Sequence, residues 1–352
     1  MGILGRCQRA RQQRAKFKEY AIDEVPKGDF PYALSKGERA AVDSKWGELR
    51  YSPSYRWHEV FASIHGFDEH YVPADSWFMY LMPKLNDRKL IQAWSDKSYL
   101  PKIFEGLPVP ESYGFCIKGR FYDANYQSIS EEKLIGTLRN KASRAIVKPS
   151  GKTWRGHGVA VVEPETLDPV SLRKLASDRM GNCIFQAVIE QSQTLSMFNS
   201  NSCNIVRVYT LRLGNEIHVL SATVRFGVGD SITDVSYDEN GELQYRTVGV
   251  TADGRFKENI YDALLQARPF DVAEMSPGDA LPGYNRVVEA CRLAHSRMHH
   301  FDLIGFDMCI DKNNEPLIIE ANKEPGLPFN QAVNGPAFGD MTDDVIAYCK
   351  KK

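Results

Sequence analysis

The sequence predicts an α+β fold in which a mainly helical N-terminal extension precedes a region of mixed strands and helices. Helical segments at 130–141, 168–178 and 284–299 lie among short β-like runs, and most neighbouring runs are separated by turn-like residues. Strands joined mainly as hairpins favour antiparallel sheets over a doubly wound parallel sheet. The β-like runs cover 115–117, 145–147, 159–162, 183–189, 204–213, 217–226, 303–310 and 316–321.

The N-terminal part of the chain is predicted to be helical. Residues 3–20 are dense in charged residues, Gln and Ala, which favours a solvated charged helix or, alternatively, a docking arm. Residues 36–90 combine a helical texture with many aromatic residues, which indicate either packing or the wall of a second substrate's pocket. Further along, residues 253–270 and 271–284 are predicted to form an inserted helix and loop.

Composition narrows the class of protein. The chain has 352 residues, of which 43% are hydrophobic and 25% charged, an ordinary globular balance. A net charge of -1 gives no overall attraction to nucleic acid or to an anionic membrane. No apolar stretch approaches about 20 residues, so we expect no transmembrane helix. The seven cysteines are dispersed without a CxxC pair, which favours reduced thiols and a cytoplasmic location.

A hairpin near the C-terminal end carries the clearest metal-site signal. Two β-like runs flank a polar turn at 311–315, and a turn centred between Asn313 and Asn314 places Asp307 opposite Glu320. Asn322 then shares their face, because side chains alternate along a strand. Facing carboxylates repel each other unless a cation intervenes, and hard oxygen ligands suit Mg²⁺ with substrate phosphates as further ligands. The alternative is an exposed acidic hairpin.

A glycine-rich segment follows a short apolar strand and predicts a phosphate loop. Glycines allow tight backbone geometry and a close approach of N–H groups to phosphate oxygens, and Lys148 can place a charge there. A strand follows the loop, so it is neither a Walker A nor a Rossmann motif. A mobile solvated hairpin is the alternative. The candidate nucleotide-binding residues here are Lys148, Ser150, Gly151, Gly156, His157 and Gly158, with His157 either a hydrogen-bond donor or solvent-facing.

The next apolar run is a candidate adenine strand. Its edge can present backbone groups to adenine, and the acid at its end, Glu190, can accept hydrogen bonds from ribose hydroxyls. We therefore take Gln186, Val188, Ile189 and Glu190 as candidate nucleotide-binding residues. An ordinary core strand is the alternative.

Two arginines in the hairpin around Gly214 and Asn215 are candidate catalytic residues. Arg207 and Arg225 lie in β-like, partly apolar surroundings, where a buried guanidinium needs an anionic partner such as phosphate or carboxylate. Simple alternation about the turn puts them on opposite faces, so a bulge is required if both reach one site. Structural salt bridges are the alternative.

Taken in order, these segments resemble the ATP-grasp superfamily. The chain carries Lys148 before a glycine-rich hairpin, a strand ending at Glu190, then "NIVR" at 204–207 and "LIGFDMCIDKNNEPLIIEANKEPGL" at 303–327. Asp96-Lys97 looks like the motif whose lysine approaches the nucleotide in that fold. The sequence is most similar to the sugar-transfer-associated group, over about 92–335. It departs from that group at Asp234-Val235, where the expected Asp-Asn and Gly-Gly pair are missing.

The resemblance implies two α+β subdomains that grip ATP, with boundaries expected at 1–91, 92–185 and 186–352. It also implies a carboxylate–amine ligase: ATP phosphorylates a carboxylate and an amine displaces phosphate. Mg²⁺ would be held by Asp307, Glu320 and Asn322, and the phosphates by Lys97 and Lys148. A sugar carboxylate and an amine or amino acid of polysaccharide biosynthesis are the implied substrates. The alternatives are a small-molecule kinase of the same fold and a non-catalytic nucleotide-binding subunit.

Overall fold

The computed structural model describes residue 15 and residues 25–49, 53–151 and 156–352. The charged helix predicted at 3–20 lies outside these residues except for residue 15, and part of the phosphate loop, 152–155, lies outside them as well. No helix in the described part of the chain is long and apolar enough to cross a membrane.

The N-terminal region is helical, as predicted. Helix α1 begins with a capping box, in which the Ser35 hydroxyl accepts the Glu38 N–H and the Glu38 carboxylate accepts the Ser35 N–H at 2.7 Å. The helices are α1 (Lys36–Trp46), α2 (Arg56–His65), α3 (Ala74–Ser76), α4 (Met82–Leu85), α5 (Arg88–Trp94) and α6 (Leu100–Ile103), with a π-helical turn at Trp77–Leu81 and 3₁₀ turns at Gly47–Leu49 and Lys97–Tyr99.

The first sheet has five antiparallel strands in the order β2-β1-β5-β3-β4. Two helices cover one face, where Leu134 and Leu138 of the first helix meet Phe185 and Val147 of the sheet in a buried cluster. The elements are β1 (Ser112–Ile117), β2 (Arg120–Asp123), α7 (Glu131–Lys141), β3 (Ala145–Pro149), β4 (Ala160–Val162), a 3₁₀ turn (Pro164–Thr166), α8 (Pro169–Ser177) and β5 (Cys183–Ala187).

The second sheet has seven antiparallel strands in the order β12-β11-β10-β7-β6-β13-β14. Its elements, with the short hairpin β8–β9 and the flanking helices, are α9 (Gln193–Phe198), β6 (Ile205–Leu213), β7 (Glu216–Phe226), β8 (Ser236–Tyr237), β9 (Leu243–Gln244), β10 (Arg246–Val250), β11 (Phe256–Asp262), β12 (Ala267–Pro269), α10 (Tyr284–Ser296), β13 (Leu303–Ile310), β14 (Pro316–Asn322), α11 (Leu327–Asn334), a 3₁₀ turn (Gly339–Met341) and α12 (Thr342–Lys351).

The two faces of this sheet differ in chemistry. One face packs on α10 through a buried apolar cluster that includes Val206, Val224, Phe306 and Val287. At one end, the other face packs against the N-terminal region, and the Trp77 indole donates to the Pro325 carbonyl there at 3.0 Å. The rest of that face carries polar side chains, because residues alternate along each strand.

The inserted helix predicted at 253–270 is wrong, because the chain forms strands β11 and β12 there. The Asp262 carboxylate accepts the N–H groups of Leu264 and Gln266, which makes a tight turn with Leu265 at a positive φ of 61°. A side chain that binds its own following backbone competes with helix formation. The predicted helices at 130–141, 168–178 and 284–299 are confirmed within a few residues.

Candidate active site

A cavity of about 770 Å³ lies between the two sheets. The predicted site residues that line it are Lys97, Lys148, Gly156, His157, Gln186, Val188, Ile189, Glu190, Arg207, Arg225, Asp307, Glu320 and Asn322. Three others do not line it, namely Ser150, Gly151 and Gly158. None of the described residues at 25–91 lines it, so the aromatic residues of that region serve packing.

The floor of the cavity is a row of polar side chains across four strands. In the strand pairing, Glu320 is opposite Asp307, Asp307 is opposite Arg207, and Arg207 is opposite Thr223. All four line the cavity. Neighbouring strands therefore bring residues that are distant in sequence into one row.

A β-bulge in the hairpin sets the position of Glu320. The pairing of Asp307 with Glu320 is confirmed, but the turn is one residue tighter than predicted, since Ile310 pairs with Pro316. A regular ladder from that turn would place Ile319 opposite Asp307. The register shifts between Asp307 and Met308, so that Ile319 and Glu320 both line the cavity.

A second bulge puts both arginines on one face. The β6–β7 register shifts between Tyr209 and Thr210, which pairs Arg207 with Thr223. Arg225, two residues beyond Thr223, then shares the face of Arg207. The bulge that the sequence required is thus present.

Asp307 is bound by two neighbours. Its carboxylate accepts two hydrogen bonds from the Arg207 guanidinium, at 2.6 and 2.7 Å, and a third from the Asn322 amide at 3.2 Å. Burial alone would raise the pKa of Asp307, but the charge and hydrogen bonds of Arg207 hold it below the ordinary value. Asp307 therefore stays ionised although its side chain is buried.

The second carboxylate, Glu320, pairs with Lys97 at 3.0 Å between Oε1 and Nζ. The Lys97 backbone N–H donates to the Ser150 carbonyl at 2.5 Å, and the Ser150 N–H donates to the Asn182 carbonyl at 3.1 Å. These bonds fix the Asp96-Lys97 segment against the predicted phosphate loop. Ser150 acts here through its backbone, which explains why it is buried without lining the cavity.

Lys148 has no carboxylate partner among the described residues. Within the described residues its ammonium makes no hydrogen bond or salt bridge, although it lines the cavity. Burial, and then the nearby charge of Lys97, lowers the pKa of Lys148 to about 8. A partly buried ammonium without a partner is suited to a ligand phosphate.

Two glycines of the predicted phosphate loop are required by backbone geometry. Gly156 and Gly158 have φ values of 73° and 78°, which disfavour side chains. A Cβ on Gly156 would lie 2.7 Å from Thr233 Oγ1, and one on Gly158 would lie 2.8 Å from Pro149 Cγ. Gly151 has neither constraint. The His157 ring, between them, lies 5.6 Å from the Tyr237 ring.

The other end of the cavity is formed by β5 and the residues after it. The strand ends at Ala187, so Val188, Ile189 and Glu190 lie in the segment that leaves it. The Gln186 amide is bound to Ser112 Oγ at 3.2 Å, and the Glu190 carboxylate pairs with Lys312 at 2.7 Å. Glu190 is thus tied to the turn of the metal-site hairpin, and its side chain is exposed.

The second arginine also has an acidic partner. Arg225 forms a salt bridge with Asp234 and lies over the Tyr245 ring, 5.8 Å from its centroid. Burial raises the pKa of Asp234 above its ordinary value, although the Arg225 charge opposes this. The sequence marked Asp234 only as a departure from the expected pattern, yet it lines the cavity.

Sequence reasoning missed several residues that line this part of the cavity. Tyr209, Thr223, Tyr245, Thr247 and Asn330 all line it. Thr223 and Tyr209 lie beside Arg207 by strand alternation or pairing, so a correct register would have indicated them. Asn330 lies on α11, which has no polar motif of its own.

The donor set fits Mg²⁺. Asp307, Glu320 and Asn322 supply two carboxylates and an amide on adjacent strand positions, which is the kind of oxygen set that Mg²⁺ shares with substrate phosphates. The described part of the chain contains no cluster of three His, Cys, Asp or Glu residues that could hold a metal. A dedicated zinc or multi-carboxylate site is therefore not formed by these residues.

Comparison with solved structures gives low-identity matches. The ATP-grasp ligase PsnB complexed with minimal precursor matches at 15% identity, with a TM-score of 0.44 and coverage of 75% of this chain and 63% of that chain. The VanG D-Ala:D-Ser ligase from Enterococcus faecalis matches at 17% identity, with a TM-score of 0.46 and coverage of 72% of this chain and 61% of that chain. The D-alanine–D-alanine ligase from Bacillus anthracis matches at 15% identity, with a TM-score of 0.42 and coverage of 73% of this chain and 69% of that chain. This chain thus covers less than two thirds of the first two structures.

A comparison with curated proteins gives no match. The family described as sugar-transfer associated ATP-grasp matches residues 79–345, which is most of the chain. The match includes every candidate site residue and both sheets, and it confirms the ATP-grasp fold predicted from the sequence. The chain belongs to the sugar-transfer associated ATP-grasp family.

Proposed function

We propose that this protein is an ATP- and Mg²⁺-dependent carboxylate–amine ligase that forms an amide through an acyl phosphate. The observation that carries the proposal is the row Glu320, Asp307 and Arg207, with Lys97 and Lys148 in the same cavity. Oxygen ligands for a hard metal ion thus stand beside cations for phosphates, as phosphoryl transfer requires. ATP and Mg²⁺ are the cofactors that ATP-grasp ligases use, and one similar structure contains Mg and ADP.

Each side chain has a proposed role in this reaction. Lys97 and Lys148 bind ATP phosphates, and Arg207 stabilises the phosphoryl group as it passes to the substrate carboxylate. Mg²⁺ held by Asp307 and Glu320, together with the Asn322 amide, would neutralise the charge that develops on the phosphates. The chain needs no nucleophilic side chain, because the amine attacks the acyl phosphate and phosphate leaves.

The remaining part of the cavity suggests the acceptor. Thr223, Tyr245, Thr247 and Asn330 line the same cavity as Arg225 and give this part of it a polar wall, in which the Asn330 amide is bound to Ser221 and Asn334. Such groups suit a hydroxylated acid, and the family description associates these proteins with sugar transfer. We propose a sugar carboxylate as the acid and an amine or amino acid as the second substrate, in polysaccharide or glycoconjugate biosynthesis. A cytoplasmic location is part of the same proposal.

The test is ADP release with Mg·ATP against a panel of uronic acids and amino acids, each with and without amines. A ligase releases ADP rapidly only with an acid–amine pair, and the product contains an amide. Release with a single hydroxylated acceptor and a phosphorylated product would replace the ligase with a kinase. Absence of ATP binding would contradict both.

Two variants separate the site from the fold. Glu320→Ala should abolish ADP release, because Glu320 is a proposed metal ligand. Glu111→Ala is the matched control: Glu111 also pairs with a lysine, Lys141, at 3.0 Å, but it lies outside the cavity. We expect the control to retain activity. Equal activity of both variants would contradict the proposed metal site.

A further inference from the structure

Both carboxylates of the proposed metal site already hold cations of the chain. Arg207 uses both oxygens of Asp307, at 2.6 and 2.7 Å, and Lys97 donates to Oε1 of Glu320 at 3.0 Å. Three of the four carboxylate oxygens of the proposed metal site thus contact an internal cation. Any metal that binds here must compete with two internal cations.

We propose that Lys97 and Arg207 block these oxygens against a bare divalent cation and release them when nucleotide phosphates bind, so that metal and nucleotide enter as a unit. The inference rests on the proposed function and deepens it, because it assigns the order in which the site is filled. Phosphate oxygens attract the two side chains, and the freed carboxylates then take the metal ion.

The charges along this part of the cavity favour that order. Asp307 and Glu320 are each paired with a cation of the chain. A bare divalent cation therefore finds no uncompensated carboxylate at the proposed metal site, which disfavours its binding. Lys148 has no carboxylate partner among the described residues and offers the phosphates a first contact.

The exchange needs only side-chain movement. The Lys97 backbone is fixed to Ser150 by a 2.5 Å hydrogen bond, and Arg207 lies on β6 between two paired strands. The Lys97 and Glu320 side chains are 15% and 30% exposed, so the ion pair has room to separate. Long lysine and arginine side chains change rotamer without moving the sheet.

Thermodynamic linkage turns this geometry into a measurable coupling. If bound nucleotide raises the affinity for metal, bound metal raises the affinity for nucleotide by the same factor. Metal–phosphate ligation alone also produces such coupling. The blocking role of Lys97 is separated from it by metal binding in the absence of nucleotide.

The experiment measures Mn²⁺ binding by electron paramagnetic resonance, without nucleotide, because Mn²⁺ accepts the same oxygen ligands as Mg²⁺. Lys97→Met should tighten Mn²⁺ binding about fivefold, since one ligand loses its competing partner. The same variant should weaken the binding of metal-free ATP about tenfold, measured calorimetrically with a chelator present, because one phosphate ligand is gone. We therefore expect Lys97→Met to change the two affinities in opposite directions, with tighter metal binding and weaker nucleotide binding.

Two controls separate blocking from general electrostatics. Lys148→Met removes another lysine of the same cavity, one that forms no ion pair among the described residues, so it should tighten Mn²⁺ binding less than twofold. Lys141→Met removes a remote lysine with a 3.0 Å glutamate partner and should change nothing. Thermal melting checks that all three variants fold.

The outcomes are distinct. A larger gain in Mn²⁺ affinity for Lys97→Met than for Lys148→Met supports the exchange. Equal gains, or no gain, overturn it, while Mg·ATP binding and turnover would leave the proposed ligase intact. If Mn²⁺ fails to bind even with an ATP analogue, both the exchange and the proposed metal site are wrong.

Discussion

The pairing of Arg207 with Asp307 predicts a strong energetic coupling that a double-mutant cycle measures. The side chains are 18% and 9% exposed and share two short hydrogen bonds. Fully buried pairs cost about 3–5 kcal/mol when one partner is removed, and exposed pairs contribute about 0.2–1 kcal/mol. A pair at this intermediate depth should show a coupling of about 2 kcal/mol in the cycle of Arg207→Gln and Asp307→Asn.

The assay is urea unfolding of the unmodified protein, the two single variants and the double variant at pH 7. The matched control is the Arg173–Glu131 pair, which has a similar 3.1 Å separation but side chains that are 55% and 27% exposed. Its cycle should give about 0.5 kcal/mol. Equal couplings for the two pairs would refute the reasoning, because the burial of the side chains would then have no effect on the coupling energy.

The sign of the pH dependence follows from the lowered pKa of Asp307. Burial opposes ionisation, but Arg207 holds the folded-state pKa below the unfolded value. The stabilising contribution is therefore fully present above the unfolded pKa, about 3.9, and is lost as pH falls through the lower folded value. The Arg207–Asp307 coupling should persist from pH 7 to pH 5 and disappear only in stronger acid.

Three further outcomes follow from the same site. Gly156→Ala should lower the free energy of unfolding by about 1–2 kcal/mol and weaken ATP binding, because the φ of Gly156 is 73° and the Cβ would meet Thr233. Gly151→Ala should be neutral, because a Cβ at Gly151 would meet open space. Thermal melting measures the stability of both variants, and calorimetry measures their ATP binding. ATP affinity should fall as pH rises through about 8, where Lys148 loses its proton, and Lys148→Met should remove this dependence from the calorimetric pH profile. The acid substrate should bind only after Mg·nucleotide has freed Arg207, and initial-rate kinetics that show random addition would contradict this order.

Much of the fold can be predicted from the sequence, because the patterns that indicate its strands and turns are local. The apolar runs, the polar turn at 311–315 and the hairpin around Gly214 depend on neighbouring residues, and the structure contains the strands they predict. The helix predicted at 253–270 was wrong for a physical reason. Its Ala, Leu and Gln residues favour a helix, but the Asp262 carboxylate binds the following N–H groups and turns the chain instead.

The types of the site residues were predictable, but their geometry depends on register. Glu320 faces Asp307 through a bulge that no turn rule specifies, and the same bulge makes Ile319 part of the cavity wall. A bulge in the hairpin around Gly214 was expected only on condition that both arginines reach one site, and its position between Tyr209 and Thr210 was not predicted. A one-residue slip in either hairpin would turn the functional side chains towards α10.

The sequence also leaves open which charges neutralise each other, and this decides how the site works. The sequence motifs predict that Lys97 binds phosphate, that Arg207 binds the phosphoryl group and that two carboxylates bind Mg²⁺. In the structure, Lys97 forms a salt bridge with Glu320 and Arg207 forms one with Asp307, because strand pairing and the Ser150 contact bring these residues together. Both assignments hold if nucleotide binding exchanges one set of partners for the other. The two ion pairs would then keep Lys97, Glu320, Arg207 and Asp307, which are partly or fully buried, compensated until phosphates and a metal ion replace these partners, which avoids the cost of an unpaired charge at every stage.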